Sequence, residues 1–212
     1  MEQKVKVERI QTKPIDENCT LIKNEETKEA IVIDPGSDIE NILKRLEDYK
    51  VVAILATHGH YDHVGQVATI KELHNAPFYI HKSDEFLLKD ELFPGFSMYL
   101  GAKAPPNPDY YINDKDVLNI AGVDIEVIHT PGHTPGGCCF YISSQNTLIA
   151  GDTLFKGGVG RTDLLGGSSQ ELSKSLRKLF SILPKETRVI CGHYDDTTLE
   201  HEIKFNPFLR SL

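Results

Sequence analysis

Thr57-His58-Gly59-His60-Tyr61-Asp62-His63-Val64-Gly65 follows directly on the apolar run 51–56 (Val-Val-Ala-Ile-Leu-Ala) and leads into a stretch with helical spacing. Ligand-type side chains at the junction of a buried strand and a helix lie where an α/β sheet presents polar groups to a bound molecule. If the chain stays extended, His58, His60 and Asp62 share one face by the two-residue period of a strand. Asp62 capping a helix that begins near His63 turns a fourth side chain toward the same point. Three imidazoles and a carboxylate gathered this closely, buried without an ion, would leave unpaired polar atoms at a high cost. Nitrogen and oxygen ligands of this kind suit zinc, iron or manganese.

Outward from that segment, alternating and β-branched stretches at 5–10, 20–23, 30–33 and 51–56 read as strands, the last two apolar on both faces and therefore covered on both. A helix is expected over 39–49, with Ile39, Ile42, Leu43 and Leu46 in one stripe, and another from His63 to about His74. Residues 92–114 hold Pro94, Gly95, Gly101, Pro105, Pro106 and Pro108 among aromatics, and are expected to form a long ordered loop. Strands follow at 117–120, 123–129, 138–142, 147–150 and 188–191, with a helix near 170–182. Two strand-rich halves, each with helices, imply an α/β architecture of two sheets packed face to face with helices outside. With 212 residues, 40% apolar content, no repeat and no Gly/Ser linker, residues 1–212 are expected to form a single domain.

The formal charge of −8 excludes nucleic acid as a general partner, since phosphate binding draws on clustered Lys and Arg. The apolar runs fall far short of the roughly 20 residues that cross a bilayer, and residues 1–10 alternate charges where a signal peptide needs an apolar core. No membrane association and a cytoplasmic location are expected. Cys19, Cys138, Cys139 and Cys191 form no C-x-x-C pair and read as small packed residues.

Three more ligand-type residues stand alone just after strands: His133 after 123–129, Asp152 after 147–150 and His193 after 188–191. Singly each is compatible with a turn, a cap or a surface loop, but together with the first segment those readings become improbable. His129 starts the turn leading to His133 and is expected to be structural, as are His74, His81 and His201.

In order, H-x-H-x-D-H over 58–63 followed by His133, Asp152 and His193 resembles the metallo-β-lactamase superfamily. More narrowly, His129-Thr-Pro-Gly-His133-Thr-Pro-Gly-Gly137, Gly151-Asp152-Thr-Leu-Phe155, Gly160-Arg161-Thr162-Asp163 and Asn206-Pro207-Phe208-Leu209 resemble the glyoxalase II (hydroxyacylglutathione hydrolase) group, especially its short form. The resemblance implies an αββα four-layer sandwich. It implies that His58, His60 and His133 hold one divalent metal, that Asp62, His63 and His193 hold a second, and that Asp152 bridges them. The ions would be zinc, with iron or manganese also fitting, and Asp62 would be the catalytic residue that orients the attacking water. The implied reaction is cleavage of a small-molecule thioester, such as an S-2-hydroxyacylglutathione, by a metal-bound hydroxide; a thiolate leaving group with pKa about 8.5 needs little acid assistance.

Two alternatives share the superfamily: a glutathione persulfide dioxygenase with a single iron and a similar Gly-Arg-Thr-Asp stretch, and an ester, lactone or β-lactam hydrolase. A non-catalytic metal-binding module ranks below these because all seven ligand positions are filled. The long glyoxalase II form continues into a helical domain, whereas 19 residues follow His193 here. Lys103, Lys156 and Arg161, together with Phe93, Phe96, Tyr99, Tyr110 and Tyr111, are the residues expected near the mouth in its place. Asp34, in the turn Asp34-Pro35-Gly36, is expected behind the ligands, Arg161 is expected to pair with Asp163, and Tyr194 is a packed, surface or substrate-facing residue.

Overall fold

The chain is described by a computed structural model covering residues 5–89 and 96–210, with Phe96 and Ser97 described in the backbone only. One six-stranded sheet runs β1(Val5–Thr12)-β2(Glu17–Asn24)-β3(Glu29–Ile33)-β4(Lys50–Leu55)-β5(Phe78–His81)-β6(Tyr110–Ile112). A second runs β14(Thr197–Thr198)-β13(Arg188–Cys191)-β10(Thr147–Gly151)-β9(Cys138–Ile142)-β8(Val123–His129)-β7(Val117–Ile120), and β11(Leu154–Phe155) pairs with β12(Gly158–Val159) as a separate ribbon. The helices are α1(Ile39–Arg45), α2(Tyr61–Val64), α3(Val67–His74), α4(Phe96–Tyr99), α5(Ser169–Ile182) and α6(Leu199–Phe205).

Three buried clusters correspond to the three interfaces of four layers. Leu21, Val32, Ile54, Phe78 and Ile80 of the first sheet meet Ile42, Val67 and Ile70 of α1 and α3. Ile22, Ile31, Ile33 and Leu55, on the opposite face of the same strands, meet Val127, Phe140 and Ile190 of the second sheet. Leu148 and Val189 meet Leu172, Leu176 and Leu179 of α5 and Leu199 of α6. This is the αββα sandwich, and it explains the uniform apolar runs: β3 and β4 are covered by helices on one side and by a sheet on the other.

The structure corrects several local expectations. The expected helix from His63 to His74 is two helices, α2 and α3, because the chain turns at Gly65 and Gln66, where Gln66 N–H donates to the Pro35 carbonyl at 2.8 Å. The helix expected over 39–49 ends at Arg45, and Leu46 and Tyr49 close the turn that follows. Residues 92–114 are not wholly loop: α4 and the edge strand β6 lie within them, with Tyr79 pairing Tyr110 and His81 pairing Ile112 in parallel. A short edge strand tolerates the three prolines that precede it, since it needs donors on one side only. The expectations for Pro94, Gly95 and Phe93 fall outside the described residues. Among the described residues, no helix is long and apolar enough to cross a membrane.

Candidate metal centre

The seven expected side chains arrive from the C-terminal ends of four strands, β4, β8, β10 and β13, at one edge of the interface between the sheets. After β4 the chain makes an irregular turn over 57–60 and enters α2 at Tyr61. His60, not Asp62, occupies the N-cap, and it makes no side-chain cap hydrogen bond. Asp62 sits inside the first turn of α2, so the helix rotates it away from His58 and His60 and toward His63, rather than leaving it on their face.

Two groups result. His58, His60 and His133 form the first, with ring centroids 4.7–4.9 Å apart and His60 Nδ1 3.0 Å from His133 Nε2. Asp62, His63 and His193 form the second, with Asp62 Oδ2 3.3 Å from His193 Nε2 and 3.7 Å from His63 Nε2. Asp152 lies between them: one carboxylate oxygen is 3.4 Å from His63 Nε2, and the other is 3.5 Å from His133 Nε2 and 3.7 Å from His193 Nε2. A register shift between Ile149 and Gly151 in the β10–β13 pairing precedes it, the kind of irregularity that re-aims a side chain at a strand end.

The fit to a cation is tested by the atoms left over. His58 Nε2, His63 Nε2 and Asp152 Oδ1 are buried without a hydrogen-bond partner. The other ring nitrogen of each of the two histidines is committed elsewhere. Thr57 Oγ1 donates to Asp34 Oδ2 at 2.6 Å, so it accepts from His58 Nδ1–H at 3.1 Å; Asp34 Oδ2 also accepts from His63 Nδ1–H at 3.0 Å. His133 Nδ1–H donates to the Arg161 carbonyl at 2.7 Å. These bonds fix the tautomers that present bare nitrogen lone pairs at Nε2 of His58, His63 and His133, the arrangement found behind metal-bound imidazoles. Asp34, His58 and His63 also come close enough to be considered as a ligand set. Asp34 is nonetheless fully occupied, accepting Thr57 N–H at 2.7 Å as well, and acts as their orienting carboxylate.

The electrostatics point the same way. Burial, then the neighbouring imidazoles, holds His58 well below the ordinary imidazole range, and burial with the His133 ring pushes His60 down to about 4. Both are therefore neutral at physiological pH. Burial alone would raise Asp62 and Asp152, but His63 foremost and His193 hold both below the usual carboxylate range. His63 moves upward despite burial, because Asp152, Asp62 and Asp34 surround it. Carboxylates held anionic beside the neutral imidazoles of His58 and His60 are a donor set that suits a cation.

A cavity of about 360 Å³ opens above the cluster, lined by His60, Tyr61, Asp62, His133, Asp152, Arg161, Leu164 and His193. Arg161 pairs with Asp163 through two bonds of 2.7 and 2.8 Å, as expected. Lys103 and Lys156 are not in the lining: Lys103 pairs with Glu72 at 2.6 Å and Lys156 with Asp195 at 3.4 Å. Tyr110 stacks on Tyr79 and Tyr111 meets Lys82, so neither covers the cavity. Tyr99 is not in the lining either. Tyr194, 66% exposed and in the left-handed region at φ 64°, stands beside His193 and Phe155 and is not in the lining. All four cysteines are free and buried, and burial pushes the Cys191 thiol up to about 12, which argues against a chemical role.

One brace gave no signal in the sequence. The β1–β2 hairpin of the first sheet reaches across to the His193 loop of the second: Glu17 pairs with His193, Asn18 N–H donates to the Gly192 carbonyl at 2.8 Å, and Asn18 Nδ2 donates to the carbonyls of Cys191 at 2.9 Å and Tyr194 at 2.8 Å. Glu17 is fully buried, and burial pushes its carboxyl well above the usual range.

The chain is similar to several known proteins. The family model described as metallo-beta-lactamase superfamily matches residues 12–193. An uncharacterized protein of Aquifex aeolicus is 52% identical over 94% of this chain and 94% of its own length. Hydroxyacylglutathione hydrolase GloC of Haemophilus influenzae is 35% identical over 97% and 98%. Among solved structures, the BLEG-1 B3 metallo-beta-lactamase superposes with a TM-score of 0.89 at 35% identity, covering 97% of this chain and 100% of that one. TTHA1623 in a di-iron-bound form superposes with a TM-score of 0.85 at 36% identity, covering 96% and 100%. The chain belongs to the metallo-β-lactamase superfamily.

Proposed function

We propose that residues 1–212 act as one binuclear metal-dependent hydrolase of small-molecule thioesters. The observation that carries this reading is the pair of three-residue groups meeting at Asp152, with His58 Nε2, His63 Nε2 and Asp152 Oδ1 buried and unpartnered. His58, His60 and His133 would hold one ion, Asp62, His63 and His193 the other, and Asp152 both. Two divalent ions supply an ionised water near neutral pH and stabilise negative charge on a carbonyl oxygen. Around them, Asp34 fixes the ring orientations of His63 directly and of His58 through Thr57. Asp62 faces the cavity and orients the attacking water as well as serving as a ligand.

The imidazoles and carboxylates lining the cavity are all committed as ligands, which leaves Tyr61 and Arg161 as its other polar lining residues and no carboxylic acid or imidazolium to protonate a poor leaving group. A thiolate leaves without such help. The likeness to GloC supports a glutathione thioester, and the di-iron likeness supports iron beside zinc and manganese as the metal. The test is a matched panel with metal content measured on untreated protein. Glutathione thioesters should be hydrolysed with a higher kcat/KM than the corresponding oxygen ester, a lactone or a β-lactam, and no oxygen should be consumed with glutathione persulfide. Equal kcat/KM for glutathione and truncated thioesters would remove glutathione as the specific thiol, and metal-dependent oxygen uptake would replace hydrolysis by dioxygenation.

A further inference from the structure

Asp84 follows β5 in the 3-10 turn Lys82–Leu88 and is fully buried, yet its carboxylate accepts no hydrogen bond from its own turn. Its donors lie 25 to 52 residues away. Oδ2 accepts Gly59 N–H at 3.0 Å and the Thr134 hydroxyl at 2.7 Å, and Oδ1 accepts Gly136 N–H at 2.5 Å. Gly59 separates His58 from His60, and Thr134 to Gly136 immediately follow His133. One carboxylate from the first sheet thus ties together the two loops that carry the three-histidine group.

We propose that Asp84 is a positioning residue that clamps the His58–His60 loop to the His133 loop and so sets the geometry of the three-histidine metal site. The clamp rests on the metal reading of that site given above. Both loops are glycine at the point of contact for a steric reason. A Cβ at Gly59 would lie 2.8 Å from the Asp84 carbonyl oxygen, and a Cβ at Gly136 would lie 2.7 Å from the Asp84 carboxyl carbon. The backbones must approach this closely for both N–H groups to reach one carboxylate. The clamp also sits beside a close contact between the loops, where His60 Nδ1 and His133 Nε2 are 3.0 Å apart. An ion shared by those rings needs their separation held, and a buried carboxylate accepting three hydrogen bonds supplies stiffer support than apolar packing. The second group, Asp62, His63 and His193, has its own supports in Asp34 and the Glu17–Asn18 brace and makes no hydrogen bond to Asp84.

Asp84→Asn keeps the volume but replaces one acceptor oxygen with a donor amide, so at least one loop loses its hydrogen bond. Zinc alone is titrated against a competing chelator in two backgrounds: His193→Ala, which retains the three-histidine site, and His60→Ala, which retains the other. Asp84→Asn should weaken zinc about 10- to 100-fold in the first background, the size of effect seen when an outer-shell partner is lost. In the second background it should weaken zinc by less than about threefold, within the spread of single substitutions away from a site. Hydrogen exchange of the metal-free protein supplies a readout independent of metal and activity, with residues 57–60 and 130–137 exchanging faster in Asp84→Asn and the segment around His193 unchanged. Thr134→Val removes one donor while keeping the packing, and it carries the test if Asp84→Asn does not fold; about fivefold weaker zinc in the first background is expected, the worth of roughly 1 kcal/mol. Equal weakening in both backgrounds, or unchanged affinity in the first, overturns the clamp. Absence of zinc at the three histidines before any change at Asp84 overturns the metal reading instead, so the two failures are distinguishable.

Discussion

Asp152→Ala is expected to lower kcat/KM for the preferred thioester by at least about a thousandfold and to weaken both metal sites together. Asp152 approaches both groups on their ligand-facing side, at 3.4 Å from His63 Nε2 on one side and 3.5 Å from His133 Nε2 on the other. Removing it also leaves the imidazoles of the two groups facing one another without the carboxylate that helps to hold His63 high and is itself held low. Loss of a single oxyanion donor costs about 10²–10³ in rate, and here nucleophile activation and charge stabilisation are lost together. His60→Ala should instead weaken chiefly the three-histidine site. Elemental analysis after reconstitution with saturating metal is the check: two ions per chain in the wild type, near zero in Asp152→Ala and about one in His60→Ala. One ion in the saturated wild type would contradict the binuclear reading and favour the single-iron dioxygenase.

How much of this was legible beforehand follows from how local each signal is. The strands β3, β4, β10 and β13 were readable because burial on both faces forces continuous Val, Ile, Leu and Ala, and ligand-type residues at their ends stand out against such runs. Asp34 was readable as a turn residue near the site. The break between α2 and α3 was not, because Gly65 and Gln66 continue an apolar helical pattern and the reason to break it, the Pro35 carbonyl, lies 31 positions earlier in the chain. Strand β6 was hidden because three prolines precede it and its partners in β5 come 31 residues earlier, so no turn signal joins them. Asp84 and Asn18 are ordinary polar residues in sequence, and their roles exist only once the chain has brought residues 50 and 173 positions away to meet them. Composition and periodicity report burial and secondary structure. Pairing across the sandwich is set by packing of whole layers, which leaves no local trace.

Activity is expected to fall about tenfold per pH unit below an apparent pKa near 7, the value to which a metal-activated water is lowered. Metal-free protein should respond to acid in the same direction through a different cause. His60 titrates at about 4 in the folded chain, against about 6.5 when unfolded, so between those values the unfolded state binds the extra proton. Folding stability from this group is therefore present above about 6.5 and is lost on acidification through that window, at up to about 1.4 kcal/mol per pH unit. His58, held well down by burial, adds to the same trend. His63 acts with the opposite sign: its raised folded pKa contributes stability that is complete below about 6.5 and is lost as pH rises from there through the folded pKa. Asp62 and Asp152, both held low, contribute stability that is lost only as pH falls below about 3.9. The melting temperature of the metal-free chain should thus decline from pH 6.5 to 4, while the metal-loaded protein stays nearly level until the ions are released, because bound metal takes the place of the protons. A metal-free melting temperature that rises on acidification would contradict the neutral state of His58 and His60. Activity that rises on acidification with metal still bound would contradict an ionised water as the nucleophile.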